Sequence, residues 1–184
     1  MGAYVAMLRG INVAGKNKIK MPELQALFVG LGHGDVTTYI QSGNVVFTSP
    51  ATSTSALVSA IEKRIGREFD VDVVAVVRTK AELGKVIAGN PFVRARADLA
   101  KLHVTFLAKK PGAALVRALD GLSADPDEFR VLGREVYLHC PAGYGTTKLN
   151  NAFWERRLKT AATTRNWNTV TKLFELAGAG PNHR

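Results

Sequence analysis

The sequence predicts an α+β fold in which antiparallel sheets pack against helices. Residues 1–79 alternate strand and helix patterns in the order βαββαβ, and residues 100–158 repeat βαββα. The chain has 184 residues, of which 46% are apolar, and this is enough for a sizeable core. Because βαββαβ is the order of a ferredoxin-like unit, we expect two ferredoxin-like subdomains. They would span residues 1–79 and 80–184, the second with extra C-terminal helices.

The elements of the first lobe follow from its hydrophobic pattern. Its strands are short apolar or β-branched runs, at residues 3–9, 35–40, 44–49 and 71–79. Its helices carry apolar residues three or four positions apart, namely Leu24, Leu27, Phe28 and Leu31, then Leu57, Ile61 and Ile65. Pro22 starts the first helix and Gly32 is placed to cap its end. Residues 41–43 predict a hairpin between the second and third strands.

The second lobe begins with a helix that Thr79 and Glu82 open as a capping box. Strands are predicted over residues 102–109, 128–133 and 135–140, with further helices over 113–119, 148–158 and 166–177. Gly133 is placed to turn the hairpin. The lobe thus resembles the first in element order, although the two share negligible letter-by-letter similarity. The tail from residue 178 is expected to fray.

Positive charge is concentrated in two segments. The net charge is +10, and residues 1–20 contain four basic residues and no acid, whereas residues 143–172 contain six basic residues against Glu155. Such concentration indicates a basic patch that attracts phosphates or other anions. The alternative is a soluble basic protein with ordinary solvated lysines and arginines.

Cysteine content and hydropathy bear on location. Cys140 is the single cysteine, so no internal disulfide forms, and the N-terminal residues show no export signal. No apolar run approaches the length that spans a bilayer. We therefore expect a cytoplasmic protein that has no membrane partner.

The loop at residues 9–21, RGINVAGKNKIKM, contains a GxxxxGK pattern directly after a strand. A nucleotide-hydrolysing P-loop places its lysine at a helix start and a Ser or Thr after it. Here Asn17 follows Lys16 and the helix waits until Pro22, so that interpretation is rejected. What remains is an anion-binding loop in which Arg9 gives bidentate hydrogen bonds and Lys16 and Lys18 give point charges. The alternative is an ordinary surface connection.

The segment GYGTTK at residues 143–148 is the second candidate. Two glycines let backbone amides approach a ligand, Thr146 or Thr147 is placed to cap the next helix, and Lys148 would stand in its first turn. A lysine there opposes the helix dipole, which a bound anion would relieve. The alternative is a glycine turn followed by a threonine cap.

Two further polar runs have a double interpretation. Arg165 and Asn166 stand at the expected start of the last helix, as helix caps or as ligand contacts, whereas Trp167 fits a core position. The polar side chains of the first hairpin turn, Gln41, Ser42 and Asn44, are turn residues or donors aimed at a ligand.

Catalytic groups are sparse. No metal-ligand spacing appears, and a lone cysteine such as Cys140 usually behaves as a buried hydrophobe. Glu23 and Glu155 are the carboxylates nearest the expected site. Glu155 is the weak candidate for a general base, although a glutamate in an early helical turn is more often an ion-pair partner.

Four segments together carry a family resemblance: MLRGINVAGKNKIKM, TYIQSGNVVF, GYGTTKLNNAFWERRL and ATTRNWNTV. The chain resembles the bacterial domain of unknown function 1697 family. That resemblance implies two ferredoxin-like subdomains in a small cytoplasmic protein. It does not indicate any particular activity. Ala14 departs from the pattern, which often has glycine there. The resemblance carries over these motif residues: Arg9, Gly10, Asn12, Gly15, Lys16, Tyr39, Ser42, Gly43, Asn44, Gly143, Tyr144, Gly145, Lys148, Asn150, Glu155, Thr163, Thr164, Arg165, Asn166 and Trp167.

We expect these segments to meet in a basic cleft between the subdomains that binds a phosphate-bearing ligand, with no cofactor or metal. Nucleic acid and a nucleotide or phosphorylated metabolite are both open, and the charge favours nucleic acid. The expected ligand-binding residues are Arg9, Asn12, Lys16, Lys18, Gln41, Ser42, Asn44, Tyr144, Thr146, Lys148, Arg165 and Asn166. One alternative is an enzyme in which Arg9, Lys148 and Arg165 hold phosphate while Glu155 handles a proton. Another is a module that recruits an acidic protein.

Overall fold

The computed structural model describes residues 1–13 and 15–179, and within them it contains two four-stranded antiparallel sheets and the helices that pack on them. The predicted α+β fold is confirmed. Ala14 and residues 180–184 of the tail lie outside the described residues. By their contacts, the residues form two units. Unit 1 is Met1–Lys85 together with the chain from Lys172, and unit 2 is Val86–Thr171.

The sheet of unit 1 has the strand order β2-β3-β1-β4, in which β1 pairs antiparallel with both β3 and β4. This is the ferredoxin-like arrangement. The strands are β1 (Gly2–Arg9), β2 (Gly34–Tyr39), β3 (Asn44–Ser49) and β4 (Val74–Thr79). The helices α1 (Met21–Gly30) and α2 (Thr54–Phe69) pack on one face, and α3 (Lys80–Gly89) follows β4.

The core of unit 1 lies between that sheet and the first two helices. Leu24, Leu27 and Phe28 of α1 and Leu57, Ile61 and Ile65 of α2 are buried against β1, β3 and β4, as their spacing predicted. The Ser53 side chain caps α2 by accepting from the Ala56 amide at 3.3 Å. The capping box is confirmed, since Thr79 and Glu82 exchange hydrogen bonds at 2.9 and 3.1 Å.

The last helical turns of the chain complete unit 1. Phe174 lies so close to Gly84 that a Cβ atom at residue 84 would come within 3.1 Å of its ring. The ammonium of Lys80 lies 5.8 Å from the centre of the same ring. The chain from Lys172 onward therefore packs on the start of α3.

The sheet of unit 2 repeats the order of unit 1, as β6-β7-β5-β8. Its strands are β5 (Leu102–Leu107), β6 (Glu128–Leu132), β7 (Glu135–His139) and β8 (Ala162–Asn166). Its helices are α4 (Pro91–Arg94), α5 (Ala113–Arg117), α6 (Asn151–Leu158) and the start of α7 (Trp167–Gly178). Trp154 and Leu158 of α6 are buried against β5, β7 and β8. Gly133 turns the β6–β7 hairpin with φ of 65°, as expected.

Strand β8 corrects the sequence interpretation. No strand was predicted there, and Arg165 and Asn166 were expected at the start of the last helix, but Ala162–Asn166 form an edge strand that pairs antiparallel with β5. The hydroxyls of Thr105 and Thr164 hydrogen-bond at 2.7 Å across the two strands. Threonine suits both helix caps and strands, so the pattern alone did not choose between them. The strand completes βαββαβ in the second lobe.

On the sheet faces turned away from the core clusters, residues of β1, β4 and β5 are also buried. Val5, Met7 and Val76 of unit 1 are at most 1% exposed, and Val104 and Phe106 of unit 2 are fully buried. Neither sheet therefore presents these residues as an open platform to a ligand.

Candidate functional site

The loop after β1 is folded into a tight two-stranded turn. The Lys16 amide donates to the Val13 carbonyl at 2.9 Å, and the Asn12 amide donates to the Asn17 carbonyl at 3.1 Å. Asn12 and Asn17 have φ of 54° and 50°, a left-handed conformation that asparagine tolerates well. The Asn17 side chain donates to the Gly10 carbonyl at 2.8 Å. These bonds fix the loop without help from a ligand.

Asn12 also ties this loop to its surroundings. Its Nδ2 donates to the carbonyls of Ile19 at 2.9 Å and Gln41 at 3.0 Å, and its Oδ1 accepts from the Ile19 amide at 2.9 Å. Ile11 and Ile19 are buried at the two ends of the loop. The side chain of Asn12 was predicted to bind a ligand. It instead donates and accepts hydrogen bonds that stabilise the loop.

The β2–β3 turn packs directly on the same loop. Gly43 has φ of 73°, and a Cβ atom there would lie 2.6 Å from Cδ1 of Ile11. Asn44 is fully buried and donates to the Ser42 hydroxyl at 2.8 Å and to the Tyr39 carbonyl at 3.2 Å. Residues 10–13, 15–20 and 40–43 are therefore joined in one surface, which we call the basic loop surface.

Three lysines project from the basic loop surface. Lys16, Lys18 and Lys20 are exposed. Lys20 lies 3.8 Å from the carboxylate of Glu23, whereas Lys16 and Lys18 form no ion pair with any residue that the structure describes. Arg9, also predicted here, is the last residue of β1 and is half-buried opposite Val74. Gln41 is exposed and contributes its backbone carbonyl to Asn12.

The GYGTTK segment forms a turn rather than a helix start. Gly143 has φ of 98°, and the Thr146 hydroxyl donates to the Gly143 carbonyl at 3.1 Å. The cap of α6 is Asn150, whose Oδ1 accepts from the Phe153 amide at 3.0 Å. Lys148 therefore lies exposed before the helix and not in its first turn, as we had expected, because Asn150 takes the capping position.

Thr147 stabilises the non-helical segment that precedes α6. Its hydroxyl donates to the Asp127 carboxylate at 2.5 Å and accepts from the Leu149 amide at 3.0 Å. Next to it, a pocket of about 350 Å³ is lined on one side by Thr146, Lys148 and Phe153 and on the other by residues 122–127. Thr146 and Lys148 belong to the predicted GYGTTK candidate, whereas no motif in the sequence pointed to residues 122–127.

Arg165 is an internal residue. It is 8% exposed, and its Nη1 donates to the Thr163 hydroxyl at 2.7 Å and to the Thr164 carbonyl at 2.9 Å. Burial lowers the pKa of the Arg165 guanidinium to about 10, while the neighbouring Tyr144 opposes that shift. The Tyr144 ring stacks on His103 with centroids 4.8 Å apart. Burial lowers the pKa of His103, and its hydrogen bond with Lys101 opposes that.

The remaining candidates of unit 2 also have structural partners. The Asn166 side chain caps the start of α7 by accepting from the Thr169 amide at 2.8 Å. Oε1 of Glu155 accepts from the Ala162 amide at 3.0 Å, which fixes the connection from α6 to β8. The Glu155 carboxylate, which was considered for proton transfer, thus has a structural role in this connection.

The structure groups the predicted residues by unit. Arg9, Asn12, Lys16, Lys18, Gln41, Ser42 and Asn44 surround the basic loop surface, whereas Tyr144, Thr146, Lys148, Arg165, Asn166 and Glu155 belong to unit 2. A cleft shared by both groups stays a prediction. No three His, Cys, Asp or Glu side chains in residues 1–13 and 15–179 gather as metal ligands. Over the same residues, every helix is too short or too polar to cross a bilayer.

Comparison with known proteins supports the fold and identifies the family. The structure of a conserved bacterial protein from Streptococcus pneumoniae is similar to this one, with a TM-score of 0.74 and 24% sequence identity, over 96% of this chain and 98% of that chain. No curated protein matches the sequence. The model of the family described as protein of unknown function (DUF1697) matches residues 1–137, which include the basic loop surface, and the chain belongs to that family.

Proposed function

We propose that this protein binds a phosphate-bearing polymer, a nucleic acid, through the lysines of the basic loop surface. One observation carries the proposal. Lys16 and Lys18 stand exposed, without an acidic partner among the described residues, on a loop whose shape is fixed by Asn12 and Asn17. A prearranged loop loses little conformational entropy when it binds.

The form of the loop favours a polymer over a small phosphorylated molecule. A small ligand is usually enclosed in a concave pocket and oriented by convergent polar groups. Here the side chains of Asn12, Asn44 and Thr146 donate to their own chain instead. The lysines remain as point charges, and these suit the phosphates of a backbone, where counterion release supplies the affinity.

Recognition of base sequence has no support in the sheets. Ferredoxin-like domains that read single-stranded RNA stack bases on aromatic side chains of an open sheet face. Met7 of β1, Val76 of β4 and Phe106 of β5 are buried in this protein. We infer that contacts come from loops and that binding tolerates different sequences.

The enzyme hypothesis has less support, because the carboxylate of Glu155 is used to hold the Ala162 amide. If it acted as a base, Glu155→Gln would abolish turnover, whereas a binding protein would keep its affinity. The buried, unpaired Cys140 is compatible with a reducing compartment, and we propose that the protein acts in the cytoplasm.

Titration of labelled oligonucleotides with the protein tests the proposal, with salt varied from about 50 to 200 mM. The double variant Lys16→Glu and Lys18→Glu removes two phosphate contacts. It should abolish binding or make the slope of log affinity against log salt concentration shallower by about two. Its matched control is Lys63→Glu with Lys85→Glu, which changes the same net charge at exposed lysines elsewhere. No binding at low salt, or equal losses in both double variants, would overturn the proposal. Capture of an acidic protein from nuclease-treated lysate, without oligonucleotide binding, would favour the interaction module.

A further inference from the structure

Two large aliphatic side chains of the basic loop surface stand in solvent. Val13 is 62% exposed and Ile40 is 50% exposed, although Ile11 of the same surface is only 2% exposed. Val13 follows Asn12 and Ile40 precedes Gln41, the two residues joined by a 3.0 Å hydrogen bond. Both residues are therefore next in the chain to the hydrogen bond that joins the two loops.

Ile40 is unusual in its backbone as well as in its exposure. Its φ is 49°, in the left-handed region that a β-branched residue rarely adopts. Asparagine or glycine would occupy that position with less strain, and a polar side chain would lose nothing by exposure. Because half of the Ile40 side chain is in solvent, it contributes little to the core of unit 1. Its apolar surface can therefore contact a partner.

We propose that the basic loop surface takes single-stranded rather than duplex nucleic acid. In this arrangement Val13 and Ile40 pack against the apolar face of an unpaired base or its sugar, while Lys16 and Lys18 neutralise neighbouring phosphates. The inference rests on the proposed function. It adds the class of polymer, because a duplex hides its base faces by stacking, whereas a single strand exposes them.

The main competing partner is an anionic membrane surface, which also combines phosphates with apolar material. Binding to such a surface grows with the apolar area that is inserted, and even one myristoyl chain gives only marginal attachment. Val13 and Ile40 together offer less apolar area than such a chain. The observations therefore favour the single strand, and vesicles become an arm of the test.

The deciding experiment compares unstructured single-stranded DNA and RNA of about 20 nucleotides with the matching DNA duplex, by fluorescence anisotropy. The key variant is Ile40→Asn, because asparagine accepts the left-handed backbone and the fold is retained. We expect the wild-type protein to bind single strands at least about fivefold more tightly than duplex. Ile40→Asn and Val13→Ser should each weaken single-strand binding about three- to tenfold, with duplex affinity and salt dependence unchanged.

Two controls remove exposed aliphatic side chains elsewhere. Val29→Ser, on α1, and Leu132→Asn, on β6, change residues that are 56% and 50% exposed and should leave binding unchanged. Equal affinity for single strand and duplex, with both lost in the lysine variant, would overturn this inference and leave the proposed function standing. Binding only to vesicles that contain anionic lipid, and to no oligonucleotide at low salt, would overturn both.

Discussion

The side-chain amide of Asn12 donates to the backbone carbonyl of Gln41 across 3.0 Å, between residues 29 positions apart in the chain. The same side chain exchanges two hydrogen bonds with the backbone of Ile19. One asparagine thus holds the loop after β1 in shape and attaches it to the β2–β3 turn. Its substitution should test how much these hydrogen bonds stabilise the fold.

Asn12→Asp should destabilise the protein by about 2–4 kcal/mol. Aspartate tolerates the left-handed backbone and still accepts from the Ile19 amide, but it loses both donated bonds and places a carboxylate against two carbonyl oxygens. Urea unfolding at neutral pH measures the change. Asn168→Asp, at an exposed position on α7, is the control and should shift stability by less than about 0.5 kcal/mol. Equal stability of the two variants would contradict the role given to Asn12.

Gly43→Ala should be costly for two separate reasons. Residue 43 has φ of 73°, which costs alanine about 1–2 kcal/mol. The new Cβ atom would also lie 2.6 Å from Ile11 Cδ1 and 2.9 Å from Leu8 Cβ, and such overpacking costs about 1–3 kcal/mol. Gly112→Ala, at the N-cap of α5, meets no atom within 4 Å and has an ordinary φ of −64°, so it should cost less than about 1 kcal/mol. Thermal or urea unfolding of the two variants measures the difference in stability. Similar unfolding midpoints would contradict the close packing of Gly43 against Ile11 and Leu8.

His33 should make the folded state sensitive to mild acid. Its ring lies 4.6 Å from Phe47 and 5.9 Å from Phe28 between centroids, and neither ring nitrogen has a hydrogen-bond partner among the described residues. Burial lowers its pKa below the ordinary value of 6.5. The unfolded chain then binds the proton first, so stability is complete above pH 6.5 and falls as the pH drops toward the lower folded pKa.

The measurement for His33 is urea unfolding at about pH 7.5 and pH 5.5. His33→Leu should lose less stability than the wild type between these conditions. His103, whose pKa is also lowered by burial, should account for a separate share in His103→Leu. An identical loss in the wild type and in His33→Leu would show that the imidazole of His33 titrates normally.

Cys140 should resist thiol reagents while the protein is folded. Its side chain is fully buried. Burial, followed by the nearby Asp127 carboxylate, raises its pKa to about 11, although a hydrogen bond with Thr147 opposes this. At pH 8 only about one thiol in a thousand is then the reactive thiolate. Reaction with a chromogenic disulfide should be slow in buffer and rapid in denaturant, and fast labelling of the native protein would contradict the burial.

Several elements followed directly from local patterns. The capping box of Thr79 and Glu82, the apolar stripe of α2 and the Gly133 hairpin depend on residues within a few positions of one another, so the sequence displays them. Strand β8 was missed because Thr163 and Thr164 suit a cap as well as a strand, and only their pairing with β5 decides. The burial of Arg165 is likewise a property of the assembled sheet.

The glycines and lysines of the loop after β1 predicted an anion-binding loop. The structure shows Lys16 and Lys18 exposed there, and ligand binding stays a prediction. The sequence did not show that Asn12 is occupied by Gln41 and Ile19, because such bonds join distant residues. Nor did it show that Val13 and Ile40 remain in solvent, since apolar residues are usually assigned to the core.

The packing of Phe174 on Gly84 sets an order for folding during synthesis. The ribosome releases β1 to β4 early, but the helical turns that cover the start of α3 arrive more than 80 residues later. Until then a nascent chain exposes the surface around Lys80 and Gly84 that the Phe174 ring later covers. Unit 1 therefore emerges first and is completed last. Chaperones that recognise exposed apolar surface can bind it in that interval.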